Sequence, residues 1–465
     1  MSNDGFGLNT DHGSSTHSEH YGHLRFGVEL VHLAVVFQRV LETGDRDLLL
    51  RFWDAYDGPI RRGGEILFVT RARPGETLWL KGDFTGSELD LEMKVTPMDK
   101  TFLYAIVQVD HNDPFYYWFF SDSPYADPHT RWMSFERGPL VSVVFGEGKG
   151  RITSMVVPSP GLGNPERNIY LYLPAVCFDP GARVPAVYMQ DGDNLFRGSP
   201  TAPFGTWNLR ERLDEAIEEG LVAPLAIIGI TTRNRSDEYL HANNLWGDNQ
   251  VGRLSEYTEY VIQTLIPLME EGFPLAHGCE NRAVAGSSFG GTSAFLMAWR
   301  NPHVFSKVAA FSPSTATGRA YQGSVDRSLL AMISHTDPLP ELRIYLDSGD
   351  SDHDGARTYA SDCRAFTDHL RNWLILHGWD GRPEYNAGDR RTPVDYPPET
   401  STQAVPTLYW SKTTPAGYHD YQDYLQIYKN LLHIVGKNHK HNEDAWSQRA
   451  TTAFAFLFPA HNNIA

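Results

Sequence analysis

The sequence predicts an α/β protein: a mostly parallel sheet covered by helices on both faces, preceded by a smaller antiparallel β-sandwich. Three observations carry this. After Ile152, short apolar runs alternate with amphipathic stretches, as strands and crossover helices do. Between Glu65 and Phe120, four short β-type runs are separated by turn signals. Finally, Gly286-Ser287-Ser288-Phe289-Gly290 stands between the small apolar run Ala283-Val284-Ala285 and a helical pattern from Thr292 to Arg300. A G-x-S-x-G pattern between a strand and a helix is the context of a nucleophile elbow.

The bulk properties narrow the class. A chain of 465 residues is long enough for two or three domains with a large core. Its net charge of −17 disfavours nonspecific binding to nucleic acid. Cys177, Cys279 and Cys363 are odd in number and include no C-x-x-C pair, which reads as three buried thiols in a reducing compartment. Residues 1–22 are polar and dotted with histidines, the composition of a disordered tail. They lack the basic and apolar order of a secretory signal. The apolar run Phe26 to Phe37 is broken by Glu29 and His32 and is too short to span a bilayer. A cytoplasmic protein with no nucleic-acid or membrane partner is therefore expected; the oligomeric state stays open.

Taken in order, residues 23–60 form a helical leader. Leu30, Leu33, Phe37, Val40 and Leu41, then Leu48, Leu49, Phe52 and Trp53, recur at helical spacing, broken at Thr43-Gly44-Asp45. Its role is packing. Residues 61–150 form the sandwich, with strands at Ile66 to Val69, Thr77 to Leu80, Leu103 to Val109 and Tyr116 to Phe120. Trp79, Tyr116, Tyr117, Trp118 and Trp132 are candidates for stacking on a ring-shaped ligand, although filling the core is the better reading for most of them. Residues 151–465 hold the α/β unit. Strands are expected at Val184 to Met189, Leu225 to Ile230, Val308 to Phe311, Leu342 to Leu346 and Leu431 to Val435. Helices are expected at Leu209 to Gly220, Tyr257 to Glu271 and Trp446 to Phe458. The stretch 385–428, rich in proline and aromatic residues, reads as an insertion that either caps the site or lies on the surface.

A serine hydroxyl is a poor nucleophile unless a histidine takes its proton and a carboxylate fixes the histidine's tautomer. With Ser288 at the elbow, the acid should follow a later strand and the histidine should precede the last helix. Arg343 to Asp347 is such a strand, and four aspartates follow or end it. Asp347 is read as holding the loop, Asp350 as a turn residue, Asp352 as the acid and Asp354 as its substitute. A calcium loop is disfavoured because the glutamate at the twelfth position is absent. His441 is the candidate base and His439 the second choice. The pair also has the spacing of metal ligands, but no third ligand lies close in sequence. The oxyanion hole is assigned to the N–H of Phe289 and to a backbone N–H at Asn194 or its neighbours. Arg235 and Trp207 are the substrate-binding candidates, with Arg233 also available to line the pocket.

These residues, in this order, resemble an esterase family that includes enterochelin esterases, feruloyl and acetylxylan esterases and esterase D-type enzymes. The resembling segments are YMQDGDNLF, APLAIIGI with Arg235 and Glu238, AVAGSSFGG, NPHVFSKVAAFSPS, YLDSGDSD and HNEDAW, from about Asn168 to Phe458. Tyr125-Ala126-Asp127-Pro128, Arg131 and Gly138 resemble, more loosely, the immunoglobulin-like domain that precedes the hydrolase in enterochelin esterases. The resemblance implies an α/β-hydrolase fold and a serine esterase that needs neither metal nor cofactor. By motif, Ser288 is the nucleophile, Asp352 the acid and His441 the base. The layout implies a bulky ester such as a siderophore ester. The other readings are a feruloyl or acetyl carbohydrate esterase, an acyltransferase on the same triad, or a non-catalytic binding protein. The leader and the 385–428 insertion are additions to the family layout.

Overall fold

The computed structural model describes residues 30–460 apart from 84–88, 129, 131, 133–141, 164, 180, 200, 201, 203, 204, 233, 242–251, 316–327, 353–362, 380–424 and 426–427. The tail at 1–22, Arg233, Asp354 and the 385–428 insertion, save Leu425 and Tyr428, lie outside the described residues.

The leader forms helices Leu30–Thr43 and Arg46–Ala55. They break where the sequence places Gly44 at φ 68, and the Asp45 side chain caps the second helix by accepting from the N–H groups of Asp47 and Leu48. Nine strands follow: β1 Ile60–Arg62, β2 Glu65–Arg71, β3 Trp79–Gly82, β4 Leu89–Glu92, β5 Lys94–Val95, β6 Phe102–Gln108, β7 Phe115–Phe120, β8 Pro124–Tyr125 and β9 Ser142–Val144. They make two antiparallel sheets, ordered β1-β2-β6-β5 and β4-β3-β7-β8 with β9 beside β7. Strand period decides the packing. On β2, Ile66 and Phe68 face Leu80, Phe115, Tyr117 and Phe119 of the opposite sheet. Leu67 and Val69 face Leu33, Phe37, Val40, Leu49 and Phe52 of the leader helices. The helices thus cover the outer face of one sheet, which is why β2 reads as a continuous apolar run. On β7, Phe115, Tyr117 and Phe119 are buried while Tyr116 and Trp118 are only half-buried. Tyr117 and Trp132 are core residues, as the packing reading expects, whereas Trp79 is exposed.

The second unit is an eight-stranded mixed sheet of the α/β-hydrolase type. Its strands are β10 Arg151–Pro158, β11 Glu166–Leu173, β12 Ala186–Gln190, β13 Ala226–Ile230, β14 Arg282–Ser287, β15 Lys307–Phe311, β16 Arg343–Gly349 and β17 Leu431–Gly436. The order is β10-β11-β13-β12-β14-β15-β16-β17, antiparallel through β10, β11 and β13 and parallel from β13 onward. Strands β12 and β13 are buried at every position, matching sequences that are apolar apart from the final Gln190 of β12. Chain order reverses between β12 and β14: β13 lies to one side of β12 and β14 to the other. That reversal is the switch point at which open α/β sheets hold ligands, beyond the carboxyl ends of the strands.

Two helical features depart from the sequence expectation. The helix expected at Tyr257 to Glu271 runs from Leu254 to Gly272 with a π-helical turn at Val261–Leu265. Pro267 has no N–H to give to the helical ladder, and the widened turn accommodates it. The helix Cys363–Leu376 was not among the expected elements. Among the described residues, no helix is long and apolar enough to cross a membrane.

Candidate active site

The chain leaves β14 and turns at Ser288, whose φ of 56° and ψ of −122° lie where a non-glycine residue is strained. Its surroundings impose the turn. The Ser288 N–H donates to the Phe311 carbonyl at 3.0 Å, and the Ser288 carbonyl accepts from the N–H groups of Thr292 and Ser314, each at 3.1 Å. A Cβ at Gly286 would stand 2.5 Å from the Gly290 carbonyl oxygen, and one at Gly290 would stand 3.0 Å from Gln190 Cβ. Both flanking glycines are therefore required by close approach, one to the helix and one to β12. Phe289 opens the helix Phe289–Arg300, whose first N–H groups have no acceptor within the helix.

Asp352 follows β16 and is buried. One of its oxygens accepts from the Gly349 N–H at 3.1 Å, and the other lies 2.5 Å from His441 Nδ1. Burial opposes its ionisation, but the hydrogen bond and charge of His441, the Ser312 hydroxyl and the Gly349 N–H together hold it below the usual carboxylate range. An ionised carboxylate only accepts, so the proton between them sits on His441 Nδ1 and leaves Nε2 as the basic nitrogen. His441 precedes the closing helix Glu443–Leu457, which Asn442 caps by accepting from the Ala445 N–H at 3.0 Å. The His441 ring packs edge-on against Trp446, with centroids 4.9 Å apart at 81°. Trp446 Nε1 in turn donates to Ser312 Oγ at 2.9 Å, at the end of β15.

The structure thus brings Asp352 and His441 together at the rim of the sheet whose β14 carries Ser288. Among the described residues, the hydrogen-bond partner of Ser288 Oγ is Ser314 Oγ at 3.3 Å, and no hydrogen bond joins it to His441. His439 is not an equivalent of His441. Its Nδ1 lies 2.7 Å from an Arg449 nitrogen, and burial followed by the charge of Arg449 lowers its pKa. Asp347 pairs with Arg449 at 2.7 and 3.1 Å in a fully buried ion pair and accepts from the Ser312 N–H at 2.9 Å. Asp350 accepts from the Asn438 N–H at 2.6 Å in an exposed turn. Both hold loops, as their sequence positions suggest.

Two expectations are corrected. Asn194 cannot supply the second oxyanion donor, because its N–H is spent on the Asp191 carbonyl at 2.8 Å inside a 3-10 turn. Its side-chain amide donates to Glu443 at 3.1 Å. Trp207 is a core residue. It is only 2% exposed, stacked on Trp446 at 5.9 Å and edge-on to Phe311 at 4.9 Å, so it is part of the floor beneath the site. The Arg235 guanidinium lies 6.0 Å from the Phe289 ring centroid and pairs bidentately with Asp191 at 2.7 and 2.9 Å. With its charge offset by Asp191, Arg235 offers a directed donor more than net positive charge.

Sequence reasoning missed Ser312, Ser314, Glu443 and Cys363. Ser312, Ser314 and Glu443 lie inside segments that the sequence marks, but nothing in those segments singles them out, and Cys363 comes from a helix 78 residues before His441. Burial pushes the Glu443 carboxyl up. Cys363 Sγ lies 3.6 Å from His441 Nδ1. The ligand atoms of Asp352, Cys363 and His441 all lie within 4.8 Å of one another, a grouping that could hold a metal ion. The thiols are not equally buried, as the sequence reading supposed: Cys177 is buried, while Cys279 and Cys363 are half-buried, and none is in a disulfide.

Residues 159–378 match the family described as "Putative esterase". Among curated proteins, the chain is 29% identical over 153 residues to the Bacillus subtilis (strain 168) "Uncharacterized protein YbbA", covering 32% of this chain and 57% of that protein. The chain therefore spans little more than half the length of that relative. Among solved structures, it is similar to the enterobactin esterase from Shigella flexneri, at 16% identity and TM-score 0.40, covering 88% of this chain and 97% of that one. It is also similar to a ferulic acid esterase from Anaeromyces mucronatus, at 16% identity and TM-score 0.41, covering 67% and 90%. These superpositions are loose over the whole chain, and the chemistry is read from the residues above.

Proposed function

Since residues 159–378 match an esterase family, we propose that this chain is a serine carboxylic-ester hydrolase using Ser288, His441 and Asp352. One observation carries the reading: a strained serine at a strand-to-helix turn shares the carboxyl rim of one sheet with a buried aspartate 2.5 Å from a histidine.

In the proposed reaction, Ser288 Oγ leaves Ser314 and attacks the ester carbonyl while His441 Nε2 takes its proton. Asp352 holds the Nδ1 proton and stabilises the imidazolium that forms. The carbonyl oxygen gains negative charge and is met by the Phe289 N–H at the start of its helix. A second donor is assigned to the turn after β12, at Gly192 or Asp193, which precede the first internal bond of that turn. His441 then gives its proton to the departing alkoxide, leaving an acyl-serine. A water attacks the acyl group and loses a proton to His441, which passes it to the departing Ser288 Oγ as the acid is released. Arg235, beside Phe289, is assigned to orienting the substrate. The layout of an antiparallel β unit followed by a hydrolase sheet favours a bulky ester, with siderophore esters first in the panel and feruloyl esters second.

The test is turnover of p-nitrophenyl acetate and butyrate by the purified protein, its Ser288→Ala variant and the protein in chelator. Ser288→Ala is expected to lower kcat by about 10⁴-fold or more, with no activity lost to chelator. A fluorophosphonate should label the parent protein and not the variant. Activity that survives Ser288→Ala would overturn the assignment.

A further inference from the structure

We propose that Asp352, Cys363 and His441 form an inhibitory site for a divalent cation of borderline softness, with Zn²⁺ the best fit. The inhibition rests on the reading of His441 as the base; the binding does not.

The three ligands come from three elements: the turn after β16, the first residue of the helix Cys363–Leu376, and the loop before the closing helix. Among the described residues, they are the one such group of three whose ligand atoms converge. A thiolate, an imidazole and a carboxylate are a donor set that suits Zn²⁺. The three ligand atoms lie within 4.8 Å of one another, and the sulfur-to-nitrogen separation is close to what the ion needs. With bonds of about 2.3 Å to sulfur and about 2.05 Å to nitrogen, tetrahedral Zn²⁺ sets the S···N separation near 3.5 Å. The observed separation is 3.6 Å. The corresponding N···O separation is about 3.3 Å, and the present 2.5 Å is shorter because a proton bridges the two atoms. Exchanging that proton for the ion requires the pair to part by less than 1 Å, roughly. The His441 side chain is 26% exposed and Cys363 is half-buried, so the group is not sealed from solvent.

The consequence for catalysis follows from the tautomer. Zn²⁺ on Nδ1 obliges the neutral imidazole to carry its proton on Nε2, the nitrogen that must accept from Ser288. The Cys363 thiol proton is released to solvent, and the Nδ1 proton is moved to Nε2. No oxidation is involved. The fourth position is left to water.

The experiment compares the full-length protein with Cys363→Ser, and with Cys363→Ala if the serine variant melts early. Two readouts are taken: the ultraviolet sulfur-to-metal charge-transfer absorption on adding Cd²⁺, and esterase turnover during a Zn²⁺ titration with chelator reversal. Expected are a charge-transfer band in the parent that both variants lack, and Zn²⁺ inhibition, taken relative to each protein's own metal-free turnover, weakened by about 100-fold. Equal bands, or equal Zn²⁺ sensitivity, in parent and variants would overturn the proposal. If the parent binds Cd²⁺ through Cys363 but hydrolyses no ester, the site stands and the esterase reading falls.

Discussion

Asp352 has two jobs that one substitution separates. Its carboxylate orients His441 and is itself held ionised by His441, Ser312 and the Gly349 N–H against the opposing cost of burial. Asp352→Asn keeps the shape but favours the wrong tautomer, so kcat should fall by about 10³- to 10⁴-fold with KM little changed. The stability effect has a definite sign. A carboxylate with a depressed native pKa contributes its full stability above the unfolded value, about 3.9, and loses it as pH falls through the lower native value. The melting temperatures of the parent and Asp352→Asn should therefore differ most near neutral pH and converge in acid below about pH 4. A gap that persists unchanged into acid would show that the aspartate is not held ionised by folding.

Trp207 makes the opposite case. Sequence offers it as a substrate-binding candidate. Only the fold shows the ring wedged between Trp446 and Phe311. Trp207→Ala should cost about 3–5 kcal/mol in a denaturant titration. At temperatures where the variant is folded, its KM for a small ester should match the parent's.

At the scale of elements, the elbow was legible because its requirement is local. Two glycines, a serine and small strand residues must occur in sequence, and they do. The glycine prediction is correspondingly sharp. Gly286→Ala places a methyl 2.5 Å from the Gly290 carbonyl oxygen and 2.8 Å from Gln190 Cγ, so β14 and its helix must separate. A stability loss of about 1–3 kcal/mol is expected from the overpacking. Displacement of Ser288 should lower kcat by about 100-fold, which steady-state kinetics on the folded variant would read. The proposed second oxyanion donor is less legible, since Asn194 and its neighbours differ only in which N–H the 3-10 turn consumes. Contacts such as Ser312 with Trp446, or Cys363 with His441, join residues 134 and 78 positions apart and leave no trace in either segment alone.

The buried pair Asp347–Arg449 ties β16 to the closing helix, and so ties the strand before Asp352 to the helix after His441. Both side chains are fully buried. Arg449→Met leaves a carboxylate buried without its cation and should cost about 3–5 kcal/mol by chemical denaturation. Asp347→Asn combined with Arg449→Met should recover part of that loss, because no uncompensated charge remains. A double variant as unstable as the sum of the two single ones would mean that the residues do not act as a pair.

For the whole molecule, the seam between the two units decides how they unfold. The sandwich has its own core around Phe68, Leu80, Phe115 and Tyr117. Val143, Phe145 and Trp132 belong instead to the core of the hydrolase sheet, so the end of the sandwich segment is packed into the neighbouring unit. Trp132 is the pivot. It is 6% exposed, bridges to Thr153 on β10, meets Phe178 edge-on at 5.3 Å and lies under the Arg151 guanidinium at 4.9 Å. The same surroundings lower the pKa of Arg151 to about 10, since burial outweighs its attraction to Asp57. Sequence texture does not mark this seam, because Trp132 sits in a stretch without strand or helix periodicity. If the seam couples the units, the parent should melt in one calorimetric transition despite having two cores. Trp132→Ala removes the shared contacts at a cost of about 3–5 kcal/mol and should split that transition in two, the lower one lacking any change in ester turnover. A single transition merely shifted downward would place Trp132 in the hydrolase core alone, and two transitions in the parent would show that the units are independent.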